Sequence, residues 1–344
     1  TTGSGNIGMG INALLLNSTG DYNISVGGFA LDANTTGASN VAVGYNALTN
    51  NSTADGNVAV GRDALHDNTT GVYNTAVGYQ AAYNGHNANH ITAVGYRALH
   101  TSGTSANHLT AIGAFALENA DGSAEYCVAV GSKALQSNTT GDYNVGVGYY
   151  ALQANTTGAY NVAVGNLALD TNTTGDKNTA LGHGAMGDNT AGSFNIAIGE
   201  NSLADNTSAD HNVAIGMDAL RLNTTGTLNV AVGNDALHAN TTTNGNTAIG
   251  YRALYDSQGT ENTAVGAYAG QNLTTGSHNC VMGYTALNAC TTNDYNTAIG
   301  KESLYNCVAD CSTAVGWRAG FSVTTGGYMV AVGYKAGYTN STAS

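Results

Sequence analysis

Proline is absent from the 344 residues, and charged side chains make up only 9% of them. Those two scarcities exclude an ordinary globular surface and also a disordered chain held open by its charges. Basic residues are scarcer still: nine Lys and Arg, scattered along the length, stand against 22 acids, for a net charge of −13. Binding phosphate backbones takes clustered Lys and Arg, so no nucleic-acid partner is expected. No run approaches the roughly 18 consecutive apolar residues of a membrane span, and the first twenty residues hold no charged stretch followed by an apolar core. No membrane insertion is expected. The repeat pattern reaches both ends, so a processed product or part of something longer is expected, with any signal or anchor outside it. No carboxylate pair, Ser/His/Asp set or phosphate-cradling Gly loop stands out, which argues against an enzyme and against a cofactor.

What is present is one motif repeated. Asn-(Val/Thr/Ile)-Ala-(Val/Ile)-Gly recurs, and its glycines fall at Gly10, Gly27, Gly44, Gly61, Gly78, Gly95, Gly113, Gly131, Gly148, Gly165, Gly182, Gly199, Gly216, Gly233, Gly250, Gly266, Gly283, Gly300, Gly316 and Gly333. The spacing of 17, with excursions to 16 or 18, is too short for a two-helix repeat and suits one solenoid coil. The predicted fold is therefore all-β: one continuous parallel β-solenoid over residues 1–344, of about 20 coils of ~17 residues. Stacked at ~4.8 Å per coil, it would form a rod on the order of 95 Å long.

Each column of the repeat has a physical assignment. The register glycine suits a corner needing positive φ or no Cβ. Asn-Thr-Thr-Gly supplies a second corner, since Asn tolerates the left-handed region and bonds its own backbone. Asn opens the strand in 15 of the 20 coils, where stacked amides can form a ladder. The residue before the register glycine (Val43, Ile112, Leu181) and the residue two earlier (Val41, Thr75, Ile196) share one face and are assigned to the core. Leu four after the glycine (Leu48, Leu152, Leu220) closes that core. Between the two β-branched positions stands Ala in 16 coils, on the opposite face by strand alternation. Either the coil is flattened so that both faces are internal, or the Ala face packs on other chains; the second is the expectation, and with it an oligomer.

Asn-Val-Ala-Val-Gly with Ala three residues on resembles the head repeat of YadA-like trimeric autotransporter adhesins and related phage tail-fibre and surface-fibre repeats, across all twenty coils. The resemblance implies a left-handed parallel β-roll, a homotrimer and binding to host or cell-surface proteins or glycans. The longer Asn-Thr-Thr-Gly loop departs from that family, and its neck, stalk and anchor segments are not in this sequence. The expected function is that of an extracellular structural or adhesive fibre, the head or shaft of a surface adhesin or virion fibre. The alternative is a subunit of a self-assembling filament, glycosylated or bare, with no dedicated receptor.

Candidate sites follow from register. Cys290 and Cys307 both lie seven after their glycine, stacked one coil apart at a separation compatible with a disulfide, which would indicate an oxidising setting. Cys311 competes as partner. Asn-x-Ser/Thr sequons form a column at Asn17, Asn34, Asn51, Asn68, Asn138, Asn155, Asn172, Asn206, Asn223 and Asn240, with Asn272 and Asn340 off it. These could be glycan acceptors, as could the neighbouring Thr, although repeat chemistry alone would produce the column. His90 and His108 share a column, with His86 and His100 nearby; simple solvation outweighs a zinc site there, and no metal is assigned. Tyr45, Tyr79, Tyr96, Tyr149, Tyr251, Tyr284, Trp317 and Tyr334 follow the register glycine and would form a ridge suited to carbohydrate or protein if exposed.

Overall fold

The computed structural model describes residues 2–85, 87–103, 106–120, 123–323 and 328–340, and over these the chain is an all-β parallel β-solenoid. It divides into two compact units, Thr1–Asp176 and Lys177–Ser344. In the first, three-residue strands run from Ile7–Met9 to Val162–Val164, and in the second from Thr179–Leu181 to Val330–Val332. Within each unit every strand pairs in parallel with the same residues of its neighbour, as in Val41↔Val58, Ala42↔Ala59 and Val43↔Val60. The first unit adds a short pair, Thr101–Ser102 with Asn119–Ala120, where the sequence lacks Asn-Thr-Thr-Gly. The second adds Asn306–Cys307, Ser322–Val323 and Thr339–Asn340 for the same reason. Among the described residues no helix is long and apolar enough to cross a membrane.

Three residues per coil are strand, so the remaining turns must also satisfy their backbone groups. They do so by alternating the direction of the peptide planes. In the coil of Gly44, Ser39, Asn46 and Leu48 all adopt left-handed φ (59°, 56° and 52°). Such a conformation costs a non-glycine residue about 1 kcal/mol. In return each amide points along the stacking axis: Ser39 and Asn46 donate to Asp21 and Gly28 of the preceding coil, and Leu48 donates to Ala64 of the next. The turns are thus hydrogen-bonded ladders in all but name. At Gly44 itself, φ is 141° and an added Cβ would lie 2.4 Å from the Gly61 carbonyl oxygen. No side chain fits there.

The strand faces are the reverse of the sequence expectation. Ala42, Ala59 and Ala76 are fully buried, while Val43, Val60 and Val77 are 36–37% exposed. The reason is the thickness of the coil. Its far wall is the turn that carries Ala47 and Leu48, both completely buried. At Gly146, in the Ala column, an added Cβ would already stand 3.1 Å from the Ala151 carbonyl oxygen and 3.3 Å from Leu135 Cγ. At most coils the lumen between strand and turn holds one methyl group, with Val281 the buried exception, and the larger β-branched neighbours face outward. Leu fills what is left, each contributing roughly 2 kcal/mol by burial. The Ala column therefore forms the core, and the oligomer expected from an exposed Ala face loses that basis.

Candidate binding surface

Two asparagine ladders flank this apolar lumen. In one, Asn51 Nδ2 donates to Asn34 Oδ1 at 2.9 Å and to the Ala54 carbonyl at 3.1 Å, and Asn68 Nδ2 donates in turn to Asn51 Oδ1 at 3.1 Å. In the other, the Asn57 backbone N–H donates to Asn40 Oδ1 at 2.9 Å while its own Nδ2 reaches the Gly71 carbonyl. This corrects the reading of the sequon column as glycan acceptors. Asn34, Asn51, Asn68, Asn138, Asn155, Asn172, Asn206, Asn223 and Asn240 are 0% exposed and Asn17 is 6% exposed. An amide nitrogen bonded inside the core cannot carry a sugar. Off the column, Asn272 is half-buried, the side chain of Asn340 lies outside the described residues, and the hydroxyl residue two after each column Asn (Thr36, Thr140, Ser208) is exposed.

Cys290 and Cys307 occupy the same inner column and stack as register requires. Both are buried free thiols, with no disulfide formed: the Cys307 N–H donates to Cys290 Sγ at 3.1 Å, and the Cys307 thiol to the Ala309 carbonyl at 3.2 Å. The hydrogen bond shared with Cys307, followed by burial, pushes the Cys290 thiol up. Cys311 is half-buried, Cys280 lies exposed on the outer strand face, and Cys127 is buried in the strand-opening Asn column. Burial pushes Cys127 up to about 11.

The surface is built of columns as well. The aromatic ridge is exposed at all eight positions, from 40% at Tyr79 and Tyr251 to 63% at Tyr334. Arg62 lies between Tyr45 and Tyr79, 5.6 and 5.9 Å from their centroids, and Tyr79 stacks on Tyr96 at 5.6 Å. Two further aromatic stacks extend beyond the sequence reading, in which only His90 and His108 were placed in one column. Five residues before the register glycine, Tyr73, His90, His108, Tyr126, Tyr143 and Tyr160 form an unbroken stack with centroids 5.0–5.6 Å apart. Five residues after it, His66, Tyr83 and His100 stack in the first unit, and Tyr305, Phe321 and Tyr338 in the second. The recurrence of Tyr or His at fixed distances from Gly was the available signal. His90 and His108 meet face to face, 11° from parallel, so their in-plane nitrogens do not converge. His86 lies outside the described residues, and among those described no three His, Cys, Asp or Glu gather as a metal set.

Charge follows the same spacing. The Ser4 N–H donates to Asp21 Oδ1 and the Ala38 N–H to Asp55 Oδ1, both at 2.7 Å, so each carboxylate caps the coil below it. Ala38 and Val72 alternate with Asp21 and Asp55 over these coils, whereas Glu125 and Asp142, and Asp294 and Asp310, stand in adjacent coils, each pair joined by the same backbone-to-carboxylate bond. At Lys133 the ammonium donates to Tyr150 Oη at 2.9 Å. That bond, followed by the one to Tyr149, lowers the Tyr150 phenol.

No family model matches the chain, and no curated protein matches it. The arrangement is a filled lumen and a surface of columns, several of which repeat one chemistry over successive coils.

Proposed function

We propose that the chain is a structural and adhesive element of an extracellular or virion fibre, acting by multivalent contact and not by catalysis. The observation that carries this reading is the outward strand face. It is a strip of Val, Ile and Met, with Leu181 in the second unit, alternating with Val, Ile and Thr and the one Cys280, and no charged side chain stands on it in either unit. Ten strands at ~4.8 Å and a width of about 10 Å give an apolar strip on the order of 500 Å² per unit, at the top of the range for monomeric proteins. Self-association along this face accounts for it, with copies of the chain as the first partner and a host or cell-surface protein or glycan as the second. The aromatic columns beside it supply broad amphipathic contact area for such a ligand.

Negative-stain imaging with mass per length tests the proposal. Particles containing several chains in cross-section support the fibre reading, and three chains support the trimer that the repeat resemblance implies. Single chains joined end to end in long uniform filaments would favour the filament subunit. Isolated single-chain particles that stay monomeric at high concentration would overturn both.

A further inference from the structure

One column of the second unit is interrupted beside the aromatic ridge. Thr285, a short side chain, stands two residues after its register glycine, where the next coils carry Glu302 and Arg318. The gap opens a cleft of about 340 Å³ lined by Tyr284, Thr285, Glu302, Tyr305, Arg318 and Phe321. Its size lies at the lower end of the roughly 300–1,000 Å³ of small-molecule sites, the scale of a mono- or disaccharide.

The lining has two kinds of surface. Tyr284 stands half-exposed on one side, and Tyr305 and Phe321 stack on the other at 5.2 Å and 5°. Between them lie polar groups. Glu302 is paired with Arg318, and Lys301 Nζ is 3.6 Å from its other oxygen. The Glu302 hydrogen bond holds the Arg318 guanidinium above its ordinary range. Arg318 also lies 5.3 Å over the Phe321 ring, and Lys301 5.6 Å over Tyr284. Arg318 spends its Nε–H on Glu302, which leaves the terminal N–H groups of its fork to donate. Two cations against one carboxylate leave this cleft with a single positive charge, on a chain whose net charge is −13.

We propose that this cleft binds a saccharide unit bearing a carboxylate. The C–H face of a pyranose packs on the aromatic walls, its hydroxyls bond Glu302 and the tyrosine hydroxyls, and its carboxylate receives the free edge of Arg318. The inference rests on the adhesive-fibre reading and names the ligand class of that reading. Loss of binding would leave the imaging result untouched, so the two can fail separately.

The test is titration of the full chain, by saturation-transfer NMR or calorimetry, with glucuronic acid, glucose and acetate in parallel. Glucuronic acid should bind, and glucose and acetate should each bind at least about tenfold more weakly, glucose for want of the charge-assisted hydrogen bond and acetate for want of the pyranose face that packs on the aromatic walls. Arg318→Gln should weaken glucuronic acid by a similar factor. Tyr284→Ala, at an exposed ring whose removal leaves the core intact, should weaken glucuronic acid and glucose alike. Tyr251→Ala, in the same ridge but outside the cleft, should change nothing. Glucose binding as well as glucuronic acid would overturn the carboxylate assignment. Absence of glucuronic acid binding, or binding unchanged in Tyr284→Ala, would overturn the site.

Discussion

Replacing Asn51 by Ala removes one rung of a buried amide ladder, and the cost can be worked from its neighbours. Asn34 Oδ1 loses the Asn51 amide that donates to it. The Ala54 carbonyl loses one donor but keeps Asn40, and Asn68 Nδ2 loses one acceptor but keeps the Gly71 carbonyl. An orphaned buried acceptor costs about 1–3 kcal/mol and each partly satisfied group about 1 kcal/mol, so Asn51→Ala should destabilise by about 3–5 kcal/mol. Asn50→Ala is the control. Asn50 is exposed and its side chain donates only to Asp67 Oδ1, so loss of that side chain should stay within about 0.5 kcal/mol. Urea denaturation followed at the β-sheet circular dichroism signal compares the two through their midpoints, provided the slopes agree. Equal, small effects of both substitutions would refute the buried ladder and reopen the sequon column as surface chemistry.

Gly44→Ala should abolish folding of its coil, at more than about 4 kcal/mol, because the new Cβ meets the Gly61 carbonyl oxygen at 2.4 Å and φ is 141°; loss of the cooperative thermal transition is the readout. Ile196→Lys, on the outward face, should leave a folded chain and weaken self-association, whereas Ala197→Lys, one residue on and fully buried, should prevent folding; sedimentation and circular dichroism separate the two. Cys127 titrates at about 11 when folded, against 9.0 for an ordinary thiol. Its raised value means that the stability it confers is complete below pH 9 and is lost as pH rises through 11. The stability difference between the native chain and Cys127→Val should therefore shift by about 2 kcal/mol across that window, and a pH-independent difference would contradict the burial.

The repeat length, the register glycines, the Asn-Thr-Thr-Gly corners and the stacking of Cys290 on Cys307 were all legible in the sequence, because each depends only on spacing. The inside of the coil was not. Val-Ala-Val alternation marks two faces without saying which is internal, and hydrophobicity favours Val. The deciding quantity is lumen thickness, set by Leu48 and Ala47 on the facing turn, which no single strand reveals. The near-constancy of Ala42 and its equivalents, beside freely exchanging Val, Ile, Leu, Met and Thr, was the available clue. The sequon column misled for a related reason: a polar residue in a turn reads as exposed, yet Asn51 is buried because its amide is satisfied by identical residues above and below. The cleft at Tyr284 and Arg318 depends on three coils at once and on one short side chain, Thr285. Left-handed φ at Leu48 was equally hidden, since nothing in a leucine announces it.

The most direct test of the account is diffraction from oriented specimens of the purified chain. In-register stacking with one 17-residue coil per step predicts a sharp reflection at ~4.8 Å along the stacking axis. No such reflection, or one oriented across the axis, would contradict the stacked solenoid and with it the columns on which adhesion is proposed to depend.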